Sequence, residues 1–128
     1  MACWPDRAER CFALRSMLDA GVELAMGSDA PVAALDPWLT LAAAVHRTGD
    51  DREPWHPEQS ITPAEALASS TDGQGTPGVG SRADLVLLDD DPLATDLPAD
   101  DTAAVGARLR QMRVAATFVG GRATHSGL

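Results

Sequence analysis

The sequence predicts an α/β fold, and three observations predict it. Apolar residues recur at spacings of three and four in segments that open on capping residues or close on glycine, which is the helical signature. Two short apolar runs, V-E-L-A-M at Val22 to Met26 and A-D-L-V-L-L-D at Ala83 to Asp89, have the length and composition of strands. Helix, glycine and apolar run follow one another directly at Gly21, the order of an α/β unit.

Taken in order, Pro5 to Ala20 carries Cys11, Leu14 and Leu18 on one side of a wheel, with Arg7, Arg10 and Arg15 elsewhere, and Gly21 stops it. Val22 to Met26 then reads as a mostly buried strand ended by Gly27. Asp36 is an N-cap with Pro37 in the first helical position, and Trp38, Leu41, Ala42 and Val45 mark a second helix to about Arg47. Thr48 to Ser60 is charged and holds two prolines, a loop composition. Thr62-Pro63-Ala64-Glu65 is a capping box, so a third helix runs from Pro63 to about Ser69.

Ser70 to Arg82 is rich in glycine and poor in bulky apolar residues, which makes it the flexible boundary of the chain. The division is residues 1–71, a linker at 72–82, and a β-rich segment at 83–128. Ala83 to Asp89 is a strand, Asp90 to Asp101 an acidic loop, and Thr102 to Met112 an arginine-rich helix. Val114 to Val119, Gly120-Gly121 and Arg122 to His125 form a hairpin with a two-glycine turn. No internal repeat is present.

Composition narrows the function classes. Nineteen acidic residues oppose ten basic ones, giving a formal charge of -9 and a pI near 4.5. Phosphate backbones and anionic lipids need clustered positive charge, so nucleic acid and membrane are not expected partners. No run approaches the roughly 20 apolar residues of a membrane span, and the first ten residues do not read as a secretory signal. A cytoplasmic location is the expectation. With three Trp, two Phe and no Tyr in 128 residues, the core is lean. Cys3 and Cys11 stand in no C-x-x-C, and if a helix begins near Pro5 they are too far apart to bridge, so both are expected as thiols.

The densest chemical signal is G-S-D-A-P-V, Gly27 to Val32, where the predicted strand gives way to a loop. Catalytic residues of α/β architectures collect at that end of a strand, which makes Asp29 the residue of interest. The competing reading is an Asx-turn ahead of Pro31. Ser28 lacks a G-x-S-x-G elbow and a partnered His. G-Q-G-T-P-G at Gly73 to Gly78 follows no strand and contains proline, unlike a phosphate-binding loop.

G-V-E-L-A-M-G-S-D-A-P-V, D-P-W-L-T-L-A-A-A-V-H-R, I-T-P-A-E-A-L-A-S-S-T, G-S-R-A-D-L-V-L-L-D-D-D-P-L and V-A-A-T-F-V-G-G-R occur in this order. The set resembles the C-terminal part of amidohydrolase family 3, within the metal-dependent amidohydrolase superfamily. The resemblance implies the last strand and helix of a (β/α)8 barrel plus a C-terminal piece of a small β-rich domain. It implies a hydrolase of carbon-nitrogen bonds other than peptide bonds, with a divalent metal, zinc for preference, and a small-molecule amide or N-acyl substrate. Asp29 matches the aspartate beside the metal that handles the proton of the attacking water, first as general base and then as general acid. Arg82 stands where the family often carries Lys.

The other ligands of such a site have no match. His46 and His56 are ten residues apart, His125 lies near the C-terminus, and no H-x-H exists. Asp89-Asp90-Asp91 lacks the alternate spacing and glycine of a calcium loop and reads as a solvated strand end. The metal is therefore expected only if other sequence supplies ligands, and the chain alone is expected to be inactive. The alternative is a non-catalytic remnant or docking protein, self-associating through exposed apolar faces at Val22 to Met26 and Leu85 to Leu88.

Overall fold

The computed structural model describes residues 5–50 and 52–127. It is a mixed structure of four α-helices and an antiparallel three-stranded sheet among those residues: α1 (Leu14–Asp19), α2 (Pro37–His46), α3 (Pro63–Ala68), β1 (Leu85–Leu88), α4 (Thr102–Arg110), β2 (Val114–Val119) and β3 (Arg122–Ser126). Short 3-10 turns lie at Pro5–Arg10 and Pro57–Gln59.

α2 forms as its caps dictate. The Asp36 side chain accepts the Trp38 N–H at 2.9 Å, and Pro37 sits at a position whose own N–H would have no helical partner. Trp38, Leu41, Ala42, Ala44 and Val45 are buried from it, and Arg47 ends it in a left-handed conformation, φ 62°. α3 carries the full capping box: the Thr62 hydroxyl accepts the Glu65 N–H, and the Glu65 carboxylate accepts the Thr62 N–H at 2.8 Å. Ile61 and Ala66 bring this segment into the α2 core. α4 opens on Asp101, whose side chain accepts the Ala104 N–H, and delivers Leu109, fully buried, to the same core. Gly106 makes the α2–α4 approach possible, since a Cβ there would stand 2.8 Å from the His46 Cβ.

The sheet runs in the order β1-β2-β3, with Leu85 opposite Phe118 and Leu87 opposite Ala116. Gly120 and Gly121, both at positive φ, close the β2-β3 hairpin as a two-residue turn requires. Their amides also anchor the entry to β1, Gly120 donating to the Asp84 carboxylate at 2.7 Å and Gly121 to the Ala83 carbonyl at 2.8 Å.

Two expectations are corrected. Val22 to Met26 is extended but is no strand; the Val22 N–H donates back to the Met17 carbonyl of α1 and the Met26 N–H to the Ser69 carbonyl after α3, and Val22 is 42% exposed. An apolar run becomes a strand only when neighbouring strands complete its ladder, and among the described residues none lies beside it. Pro5 to Ala20 is not a single helix, because Phe12 takes a left-handed φ of 52° between the 3-10 turn and α1. Gly21, at φ 77°, does stop α1 as read. The anticipated Cys3–Cys11 relation falls outside the described residues at Cys3, while Cys11 is a free thiol. No helix among the described residues is long and apolar enough to cross a membrane.

Candidate functional site

The segment from Met26 to Asp36 leaves the core beside α3 and returns as the cap of α2, so both of its ends are fixed. Between them, Asp29 adopts φ 52°, its carbonyl accepts the Val32 N–H at 2.8 Å, and the Ala30–Pro31 peptide is cis. The turn therefore rests on the main chain of Asp29, not on an Asx-turn made by its side chain. The carboxylate is exposed and accepts no hydrogen bond from the described residues, which leaves it available to a solute or another chain. A hollow of about 280 Å3 lies alongside, between Met26, Gly27 and Ser28 on one wall and Leu35, Asp36 and Thr40 on the other.

The structure does not gather the other titratable residues round Asp29. His46 ends α2, with its Nδ1 3.1 Å from the Thr102 hydroxyl, and belongs to the α2–α4 contact. His56 pairs with Glu58 at 2.7 Å and lies edge-on to Trp55. His125 is exposed on β3, at the sheet edge. Asp89, Asp90 and Asp91 are a solvated strand end: Asp91 turns the chain by accepting the Leu93 N–H, and Asp89 lies 3.6 Å from Arg113. Among the described residues no group of three or more His, Cys, Asp or Glu side chains could hold a metal ion. The described residues thus do not fit a metal by themselves, since a zinc or calcium site needs at least three protein ligands or their equivalent.

Electrostatics concentrate elsewhere. Glu65 accepts both the Thr62 N–H and the Arg15 guanidinium, at 2.7 and 2.9 Å from the latter, and these bonds hold its carboxyl below the ordinary glutamate value. Arg47, 8% exposed, donates to the Trp55 and His56 carbonyls and organises the Thr48 to Ser60 loop; burial pulls its pKa down. Both groups stabilise structure around α2 and α3.

One feature that sequence reasoning missed is a groove of about 840 Å3 between the helices and the sheet. Trp38, Leu41 and Leu67 form one wall, and Val86, Leu88 and Val114 the other. Alternation along β1 assigns Val86 and Leu88 to one face, but no local pattern says how far that face stands from a helix. The groove does not reach Asp29.

Comparison with known proteins gives a consistent answer. A family model described as the amidohydrolase family matches residues 2–125. An N-substituted formamide deformylase of Arthrobacter pascens is 33% identical over 122 residues, covering 88% of this chain and 21% of the relative. YtcJ of Bacillus subtilis (strain 168), whose name carries the word amidohydrolase, is 32% identical over 104 residues, covering 71% of this chain and 20% of the relative. The chain therefore spans about a fifth of the length of the curated relatives it matches. No solved structure gives a significant match.

Proposed function

The chain belongs to the amidohydrolase family, and from that footing we propose that it supplies the C-terminal part of a hydrolase acting on carbon-nitrogen bonds other than peptide bonds. The observation that carries this reading is the match over residues 2–125, joined by identity to a protein named as a deformylase of N-substituted formamides. The proposed substrate is a small-molecule amide or N-acyl compound, and the proposed location is the cytoplasm. On this reading residues 1–71 complete a (β/α)8 barrel, 72–82 link, and 83–128 join a β-rich domain.

Asp29 is the proposed proton carrier. Its exposed, unpartnered carboxylate can accept a proton from the attacking water and return it to the leaving nitrogen, and the turn from Asp29 to Val32 fixes its backbone. A divalent metal, zinc on this reading, needs ligands other than the described residues, and by itself the chain is proposed to be inactive.

The test is formate and amine release from N-substituted formamides, measured for the complete open reading frame containing this chain. Asp29→Asn is expected to lower kcat by about 10^2 to 10^4 with KM little changed, while the melting temperature stays within about a degree, because the carboxylate makes no internal bond. Unchanged turnover excludes Asp29 as the proton carrier. Turnover by residues 1–128 alone overturns the proposed inactivity.

A second reading, a non-catalytic remnant that docks or self-associates, is favoured by one observation: Leu85, Val86 and Leu87 of β1 are 37%, 54% and 47% exposed on a sheet edge. An open frame that starts at Met1, with no hydrolysis by the chain, supports this reading over the first.

A further inference from the structure

We propose that Asp36 is a positioning residue for Asp29: by capping α2 it fixes the far end of the loop that carries the Asp29 carboxylate. This rests on the reading of Asp29 as proton carrier and adds a second residue to that site.

The loop has little else to hold it. Ala30-Pro31-Val32-Ala33-Ala34-Leu35 contains no side chain that can donate or accept a hydrogen bond. Its main-chain bonds are local, the Val32 N–H to the Asp29 carbonyl and the Asp36 N–H to the Ala34 carbonyl, both at 2.8 Å. These shape the loop and tie it to nothing outside itself. The ties to the rest of the molecule stand at its two ends. At the entry the Met26 N–H donates to the Ser69 carbonyl at 2.9 Å. At the exit the Asp36 side chain accepts the Trp38 N–H at 2.9 Å, and Trp38 is buried in the α2 core.

That exit bond sets a direction as well as a position. Asp36 is extended, with φ -134° and ψ 106°, and its Oδ1 reaches forward to the second helical residue, so rotation about its own Cα is fixed by a residue of the core. Without an acceptor at Asp36 the first-turn amides of α2 lose a partner, and the turn behind it swings on the covalent link alone. The hollow beside Asp29 has Gly27 and Ser28 on one wall and Leu35 and Asp36 on the other, so the same bond sets its width. Proton transfer needs the carboxylate within hydrogen-bond reach of the attacking water and then of the leaving nitrogen. An error of about 1 Å in such placement can cost roughly 10^2 in rate. A cap that elsewhere contributes only stability is here placed in series with the chemistry.

α4 supplies the control, because Asp101 caps it in the same way, accepting the Ala104 N–H at 3.0 Å, and lies outside the loop. In the complete open reading frame containing this chain, Asp36→Ala and Asp101→Ala should lower the melting temperature alike. Only Asp36→Ala should lower kcat for N-substituted formamides, by about tenfold or more at a temperature where both variants are folded, with KM little changed. Asp36→Asn, which keeps an acceptor oxygen, should recover most of the loss. Hydrogen exchange across Gly27 to Asp36, read by mass spectrometry, should be about tenfold faster in Asp36→Ala and unaltered in Asp101→Ala. Unaltered exchange in Asp36→Ala overturns the proposal whether or not the frame hydrolyses formamides. So does an Asp36→Asn variant as slow as Asp36→Ala, which would make the carboxylate a substrate contact. Loss of turnover in Asp29→Asn but not in Asp36→Ala overturns this role alone, whereas unchanged turnover in Asp29→Asn overturns the proton-carrier reading beneath it.

Discussion

At the scale of single residues, Gly106 and Glu65 illustrate how differently two positions of this chain respond to change. A helical glycine replaced by alanine usually gains about 1 kcal/mol, but at Gly106 the new methyl would lie 2.8 Å from the His46 Cβ, an atom fixed to the α2 backbone. Helices must part, and overpacking costs about 1 to 3 kcal/mol. Gly106→Ala should therefore be destabilising in urea denaturation, with a lowered midpoint. Glu65 behaves as a depressed carboxyl: its folded pKa lies below the ordinary value of 4.5, so its contribution is complete above that value and is lost as pH falls through the folded one. Melting curves of the wild type and Glu65→Gln should differ at pH 7, with the wild type higher, and converge in strong acid. The gap will be small, because both Arg15 and Glu65 side chains are about a third exposed. Asp29 was legible as a position of interest from G-S-D-A-P-V alone, and its environment was not. Which side of a turn a carboxylate faces depends on a left-handed φ that Asp adopts readily and does not announce.

Among elements, the helices were the legible part, because their signals are local. Thr62, Pro63 and Glu65 name the start of α3 within four residues, and Asp36 with Pro37 does so for α2. Thr62→Ala removes the hydroxyl that accepts the Glu65 N–H, and a loss of about 1 kcal/mol in chemical denaturation is the expected result. The hairpin was legible for the same reason, through Gly120-Gly121. Val22 to Met26 is no strand because a strand is a relation between segments: V-E-L-A-M has the composition, but its bonded amides, Val22 and Met26, find the carbonyls of Met17 and Ser69 at helix ends and no strand. Phe12 shows the complementary failure, a break inside a periodic pattern where no glycine or proline gives warning.

For the whole molecule, one apolar cluster holds the fold, drawing Trp38, Leu41, Ala42 and Val45 from α2, Ile61 and Ala66 from the α3 segment, and Leu109 from α4. Its residues were readable singly as inward-facing positions. Their assembly was not, since the α2–α4 crossing joins segments separated by the glycine-rich stretch, and the groove beside the sheet exists only once that crossing is made.

The crossing also means that covalent continuity through residues 73–80 is dispensable to the architecture. That stretch is largely exposed and contributes nothing to the cluster, whereas Leu109 and Gly106 sit against α2 across it. A protease cut between Gly75 and Gly80 should leave two peptides that migrate together on gel filtration and separate only in denaturant. The same two peptides, produced apart and mixed, should reconstitute the helical circular dichroism of the intact chain, so that the molecule behaves as a natural split protein.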